Sequence, residues 1–89
     1  MLSELTESPF TDTDIMIQAI REMRKVFPCV RMYWGVVPTY PSGMWTYGLA
    51  SMRESSFEPL RMVKPTRYYT SEIHRASFVL PPFLEEMIK

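Results

Sequence analysis

Glycine, cysteine, histidine and aspartate are all scarce in this 89-residue sequence. It has three glycines, one cysteine and one histidine, and its only aspartates are Asp12 and Asp14. The lone Cys29 rules out an internal disulfide and fits a reducing, cytoplasmic setting. No glycine-rich phosphate loop, Cys/His metal spacing or Ser/His/Asp elbow is present. Neither a metal nor a cofactor is therefore expected. No apolar run reaches the roughly 18 residues of a membrane-spanning helix. The opening segment Met1-Leu2-Ser3-Glu4-Leu5-Thr6-Glu7 lacks the basic and apolar parts of a secretory signal. Ten Lys+Arg balance ten Asp+Glu, so no basic field exists to hold a nucleic-acid backbone. Two neighbouring aspartates and three glycines are little material for a complete active site.

What is present is globular in kind: 46% apolar and 22% charged residues. The length allows a single unit, residues 1–89, with a small core. Ile15, Ala19, Ile20, Met23, Val26 and Phe27 recur at helical spacing and predict a helix from about Asp12 to Phe27. Thr11 or Thr13 is the expected N-cap, and Pro28 stops the helix. Val30 to Val37 reads as a strand, being β-branched and aromatic. Pro38-Thr39-Tyr40-Pro41-Ser42-Gly43 reads as a stiff loop with a turn over its last four residues. Met44 to Ser51 reads as a second strand, antiparallel to the first because the loop is short. Arg53 to Lys64 is expected to be irregular. Thr70 should cap a helix from Ser71 to Phe78 with Ile73, Ala76 and Ser77 on one side. Pro82 suits the first position of a last short helix, with Phe83, Leu84, Met87 and Ile88 inward.

Few residues suggest chemistry by type and spacing alone. His74 has no partner in sequence and reads as structural or solvated. Cys29 reads as a small apolar residue rather than a nucleophile. Tyr40 and Trp45 flank a rigid turn, where ring faces can line a pocket for a flat base or an organic cation. The same two rings could equally pack the hairpin against the helix. Glu7, in Glu7-Ser8-Pro9-Phe10, could face a cleft or cap the helix that follows.

Four segments, in order, carry a resemblance. Thr6-Glu7-Ser8-Pro9-Phe10 is similar to the T-E-S-P-F segment of bacterial spermidine synthases, the polyamine aminopropyltransferases. Phe27-Pro28 followed by Val30 resembles their F-P-x-V boundary. Pro38 to Trp45 resembles P-T-Y-P-S-G-x-W. Thr66 to Phe78 resembles T-R-Y-Y-T-x-E-I-H-x-A-x-F, and Val79-Leu80-Pro81-Pro82-Phe83 resembles the ending after it. The resemblance implies the C-terminal part of a Rossmann-like, methyltransferase-type α/β domain, here a helix, an antiparallel hairpin and two short helices. It also implies transfer of an aminopropyl group from decarboxylated S-adenosylmethionine, a co-substrate, to putrescine. Tyr40 matches the tyrosine where donor and acceptor meet, and Trp45 the tryptophan at the putrescine end. Pro41, Ser42 and Gly43 match the turn between them, and Glu7 matches a motif carboxylate. Tyr68, Tyr69, Ile73 and Phe78 would pack the terminal helices.

The sequence also departs from the family. It lacks the N-terminal β-domain, the glycine-rich donor loop and the D-S-S/T-D-P segment of the catalytic aspartate. Leu5 stands where the family has glutamine, and Phe57 to Thr66 is shorter than usual. No residue is assigned a catalytic role, and the isolated chain is expected to be inactive. Two expectations follow for partners: pairing with the missing enzyme half, or self-association as a dimer. A stand-alone, non-catalytic interaction protein is the alternative, and a free polyamine-binding module a third reading.

Overall fold

A computed structural model describes residues 2–40, 42–59, 64 and 66–89. The first element is a strand, β1 (Leu2–Glu7), where no regular structure was expected. Helix α1 (Thr13–Val26) follows, then the hairpin strands β2 (Cys29–Val36) and β3 (Met44–Ser51). A 3₁₀ turn spans Glu54–Phe57. Helices α2 (Ser71–Ala76) and α3 (Pro82–Met87) end the chain. The order in the antiparallel sheet is β1-β3-β2, so β3 is central. Within the hairpin Gly35 lies opposite Trp45 and Tyr33 opposite Tyr47.

The expected stripe of α1 needs correction. Ile15 and Val26 are exposed, at 57% and 73%, while Met16, Ile20 and Met23 are buried. The sheet selects the stripe that includes Met16, and the flexible thioether fills the gaps that a branched side chain would leave. Asp12, not Thr11 or Thr13, occupies the N-cap, and it makes no side-chain cap bond. Thr13 instead donates its hydroxyl to the Pro9 carbonyl at 2.6 Å. Asp14 sits in the first turn and Arg24 and Lys25 in the last, which complements the helix dipole.

Met16, Ile20 and Met23 pack with Met32, Ala50 and Leu84 into one core between α1, α3 and the sheet. Gly48 is needed there, because a Cβ would lie 2.8 Å from Met23 Sδ and 3.2 Å from both Ile20 Cδ1 and Thr6 Cγ2. β3 therefore turns Thr46, Gly48 and Ala50 to α1 and Trp45, Tyr47 and Leu49 to the opposite face.

On that second face α2 covers only part of the sheet. Thr70 caps α2 by accepting the Ile73 N–H at 3.1 Å. The helix buries no residue, and Ile73 and Ala76 are exposed rather than turned inward. Its hold on the sheet comes from hydrogen bonds and half-buried aromatics. The Trp34 backbone N–H donates to the Ser77 carbonyl at 3.1 Å. Tyr33 stacks on Tyr47 with centroids 5.0 Å apart, and Phe78 tilts against Tyr33 at 5.3 Å. Tyr69 is half-buried, whereas Tyr68 is exposed and packs little. In α3 Leu84 is fully buried, but Phe83 is 37% exposed and stacks on Phe10 instead.

His74 is structural. Its Nε2 lies 2.9 Å from the Phe57 carbonyl, which can only accept, so Nε2 carries the proton. Nδ1 then accepts from the Tyr69 hydroxyl at 2.8 Å. His74→Ala would leave the Phe57 carbonyl and the Tyr69 hydroxyl without these partners. The expected cost is about 1–3 kcal/mol, measured by urea denaturation. His74→Gln keeps a donor and an acceptor and should recover part of the loss.

Candidate functional site

The sequence candidates meet at one end of the sheet. β1 reaches β3 there through an irregularity: Leu5 lies opposite Tyr47, but Glu7 lies opposite Thr46. The extra residue is a bulge, which re-aims the strand end. Glu7 ends β1 with φ 72, a left-handed backbone that a non-glycine residue rarely adopts. Such a state costs about 1–2 kcal/mol and needs surrounding structure to hold it.

Buried hydroxyls supply that hold. Thr46 donates to the Glu7 carbonyl at 2.7 Å. Its single proton is thereby used, so the 2.7 Å contact between Thr6 and Thr46 has Thr6 as donor. Thr6 and Thr46 are both fully buried. A second chain of hydroxyls runs beside the first. Ser8 Oγ accepts from the Phe10 and Thr11 N–H groups and lies 3.1 Å from Ser42 Oγ. Ser42 in turn donates to the Met44 carbonyl at 3.4 Å, which leaves Ser8 as the donor to Ser42. The Thr6-Glu7-Ser8 segment is thus tied to both the turn and β3.

The turn itself forms as expected around its described residues. The Gly43 N–H donates to the Tyr40 carbonyl at 3.1 Å, and Ser42 and Gly43 have φ 70 and 73. Pro41, the remaining turn candidate, lies outside the described residues. Tyr40 and Trp45 come together across the turn, with centroids 4.6 Å apart and an interplanar angle of 58°. Trp45 is 7% exposed, whereas Tyr40 is 46% exposed. Trp45 Nε1 is buried with no hydrogen-bond partner among the described residues. A buried donor left unpaired is unfavourable and uncommon, and a ligand acceptor would satisfy it.

The sheet also carries an aromatic cavity of about 490 Å³, and none of Glu7, Tyr40, Ser42, Gly43 and Trp45 is among its lining residues. Tyr33, Tyr47, Tyr69, His74 and Phe78 line it. Burial first, then the neighbouring phenols of Tyr33, Tyr40 and Tyr68, raise the Tyr47 hydroxyl above its ordinary value. It therefore stays protonated at neutral pH and can donate. At the start of β2, partial burial first and then the neighbouring Glu54 carboxylate raise the Cys29 thiol above its ordinary value. That keeps the thiol protonated at neutral pH. No group of three or more metal-ligating side chains occurs among the described residues. Nor is any helix there long and apolar enough to cross a membrane.

Residues 1–59 match the family model for the spermine/spermidine synthase domain. The chain belongs to the spermine/spermidine synthase family. It is 40% identical over 87 residues to the polyamine aminopropyltransferase of Desulforudis audaxviator. It is 41% identical over 90 residues to that of Caldicellulosiruptor bescii. Each alignment covers 94% of this chain but only 32% and 31% of the relative. Among solved structures it is similar to spermidine synthase from Thermotoga maritima, with TM-score 0.85 and 41% identity. That match covers 97% of this chain and 33% of the other. A spermidine synthase in complex with the transition-state analogue AdoDATO matches equally well, at TM-score 0.85. The chain thus spans about a third of the length of its relatives, with a fold consistent with their C-terminal portion and the Rossmann-like α/β class.

The hydroxyl chains were not anticipated from the sequence. Thr46 sits inside a strand-like run and Thr6 and Ser8 inside a motif, where each reads as an ordinary polar residue. The strand β1 was missed for a related reason. Its Leu2 and Leu5 are exposed and its Thr6 is buried, the reverse of an amphipathic strand.

Proposed function

We propose that this chain forms one wall of the amine pocket of an aminopropyltransferase acting in the cytoplasm. The reaction would move the aminopropyl group of decarboxylated S-adenosylmethionine to putrescine. A neutral putrescine nitrogen attacks the carbon next to the sulfonium. The C–N bond forms as the C–S bond breaks, methylthioadenosine leaves, and the new ammonium loses a proton to give spermidine. Neutralising the attacking amine beforehand requires a general base. In the family that base belongs to a segment this sequence lacks, so the 89 residues alone would be inactive.

The observation that carries the reading is the Tyr40–Trp45 pair, clasped to the Glu7 segment, with a buried indole N–H that has no partner among the described residues. Ring faces accommodate the ammonium groups of a diamine, each contact contributing about 0.5–2 kcal/mol. The Glu7 carboxylate would add opposite charge, and Ser42 and Gly43, with Pro41 between Tyr40 and Ser42, would keep the rings in place. No cofactor is invoked, since the donor is a co-substrate.

The test has two arms. The isolated chain, given both substrates, is expected to make no appreciable spermidine; appreciable formation would overturn the assigned inactivity. The complete chain is then fused in place of the matching third of the Thermotoga maritima spermidine synthase. The fusion is expected to make spermidine, and failure to do so would overturn the assignment of the pocket wall.

A second reading rests on β1, which pairs on one side only among the described residues, with Leu2 40% and Leu5 48% exposed. Such an edge favours pairing with another strand, from the missing enzyme half or from a second copy. A stable monomer at high concentration in sedimentation would count against self-association.

A further inference from the structure

Glu7 and Trp45 sit on neighbouring strands, and side chains outside the rings fix the backbone of both. Thr46 follows Trp45 directly and captures the carbonyl of Glu7. Ser8 follows Glu7 directly and reaches Ser42, in the turn between Tyr40 and Trp45. The two hydroxyl chains run in the same sense, Thr6 to Thr46 to the Glu7 carbonyl and Ser8 to Ser42 to the Met44 carbonyl. Each hydroxyl proton has one destination, so neither chain can reverse without losing a bond. Thr6, Ser8 and Thr46 are fully buried, where an unmade hydrogen bond is expensive. Both chains converge on residues with left-handed backbones, Glu7 at φ 72 and Ser42 at φ 70. Neither conformation would persist without support from its surroundings.

We propose that Thr46 and the Ser8–Ser42 pair are positioning residues for the amine acceptor. They hold the backbone from which the Glu7 carboxylate and the Tyr40 and Trp45 rings project. Their hydroxyls act through these three residues and need not touch the substrate. The family's glycine-rich donor loop is not among these residues, so the effect should fall mainly on acceptor binding. This inference rests on the amine-pocket reading above.

The experiment uses the complete chain in the fusion just described, with steady-state kinetics for each substrate. Thr46→Val removes the hydroxyl and keeps the shape. It is expected to raise the KM for putrescine about tenfold, leaving the donor KM and kcat within about twofold to threefold. Thr46→Ser restores the hydroxyl and should return the putrescine KM to within about twofold of the parent. Ser42→Ala, at an exposed position, should raise the putrescine KM about threefold. If Thr46→Val does not fold, Ser42→Ala decides. A putrescine KM unchanged in the folded variants, or a donor KM raised equally, would overturn the positioning role while the pocket reading stands. An inactive parent fusion would instead remove the pocket reading, and this inference with it.

Discussion

Leu84→Ala is expected to lower the unfolding free energy by about 2–5 kcal/mol, enough to remove much of the stability of a domain this small. Leu84 is fully buried and is the only residue of α3 in the core cluster. It meets the layer formed by Met16, Ile20 and Met23 of α1 and by Met32 and Ala50 of the sheet. Truncation loses the transfer free energy of the removed carbons and opens a cavity that three methionines can only partly fill. The other ties of α3 are only partly buried or lie at the surface. Phe83 stacks on Phe10 at 5.6 Å, but both rings are exposed. Arg24 donates to the Ile88 carbonyl at the surface. Leu80, Met87 and Ile88 pack against the same core and are only partly buried, so α3 should loosen before the sheet melts. Thermal unfolding should show a midpoint lowered by about 10 °C or more. Val79→Ala, at 70% exposure, is the control and should stay within about 0.5 kcal/mol of the parent. A Leu84→Ala protein as stable as the parent would mean that α3 does not belong to the core.

The contrast between Leu84 and Phe83 bears on what the sequence could reveal. Pro82 marks the start of α3 and Thr70 the start of α2, because each acts within its own turn. Pro28 ends α1 and the Tyr40–Gly43 turn separates β2 from β3 for the same local reason. Which side of a short helix faces inward is not local. Phe83 and Ile73 are apolar and adjacent to inward positions, yet both remain exposed, because the available surface belongs to Leu84 and to the aromatics of the sheet. Likewise β1 exists because β3 offers it a partner 39 to 48 residues away. Its own alternation would not place it.

The site divides in the same manner. Tyr40, Trp45 and Glu7 were legible through a family resemblance, and the fold brings their segments to one end of the sheet. Thr46, Thr6 and Ser8 were not legible, since a hydroxyl becomes distinctive only once its partner is known. Ser8 to Ser42 and Thr6 to Thr46 are contacts across 34 and 40 residues. Sequence motifs mark candidate pocket residues more readily than the hydroxyls that fix their backbone.

Trp45→Ala in the fused enzyme is expected to lower kcat/KM for putrescine about 100-fold, which corresponds to about 2.7 kcal/mol. Two losses add to this magnitude. One ring face is removed from the ammonium, worth about 0.5–2 kcal/mol. Tyr40 also loses the ring it packs against at 4.6 Å, worth about 0.5–1.5 kcal/mol, and is freed to move. A reaction that needs the attacking nitrogen aligned behind the leaving sulfur is sensitive to such movement. Trp45 lies outside the core cluster, on the sheet face away from α1, so α1 and α3 should keep their packing. Trp45→Phe separates the two functions of the indole, since it keeps a ring face and deletes the N–H. If the buried Nε1 meets a substrate acceptor, Trp45→Phe should lose about three- to tenfold, the worth of one neutral hydrogen bond. If the N–H is left unpaired in the complex as well, its removal should cost nothing and add slightly to stability. Putrescine bears donors and becomes an acceptor only at a neutral nitrogen. A loss on Trp45→Phe that grows as pH rises would therefore place that nitrogen at the indole.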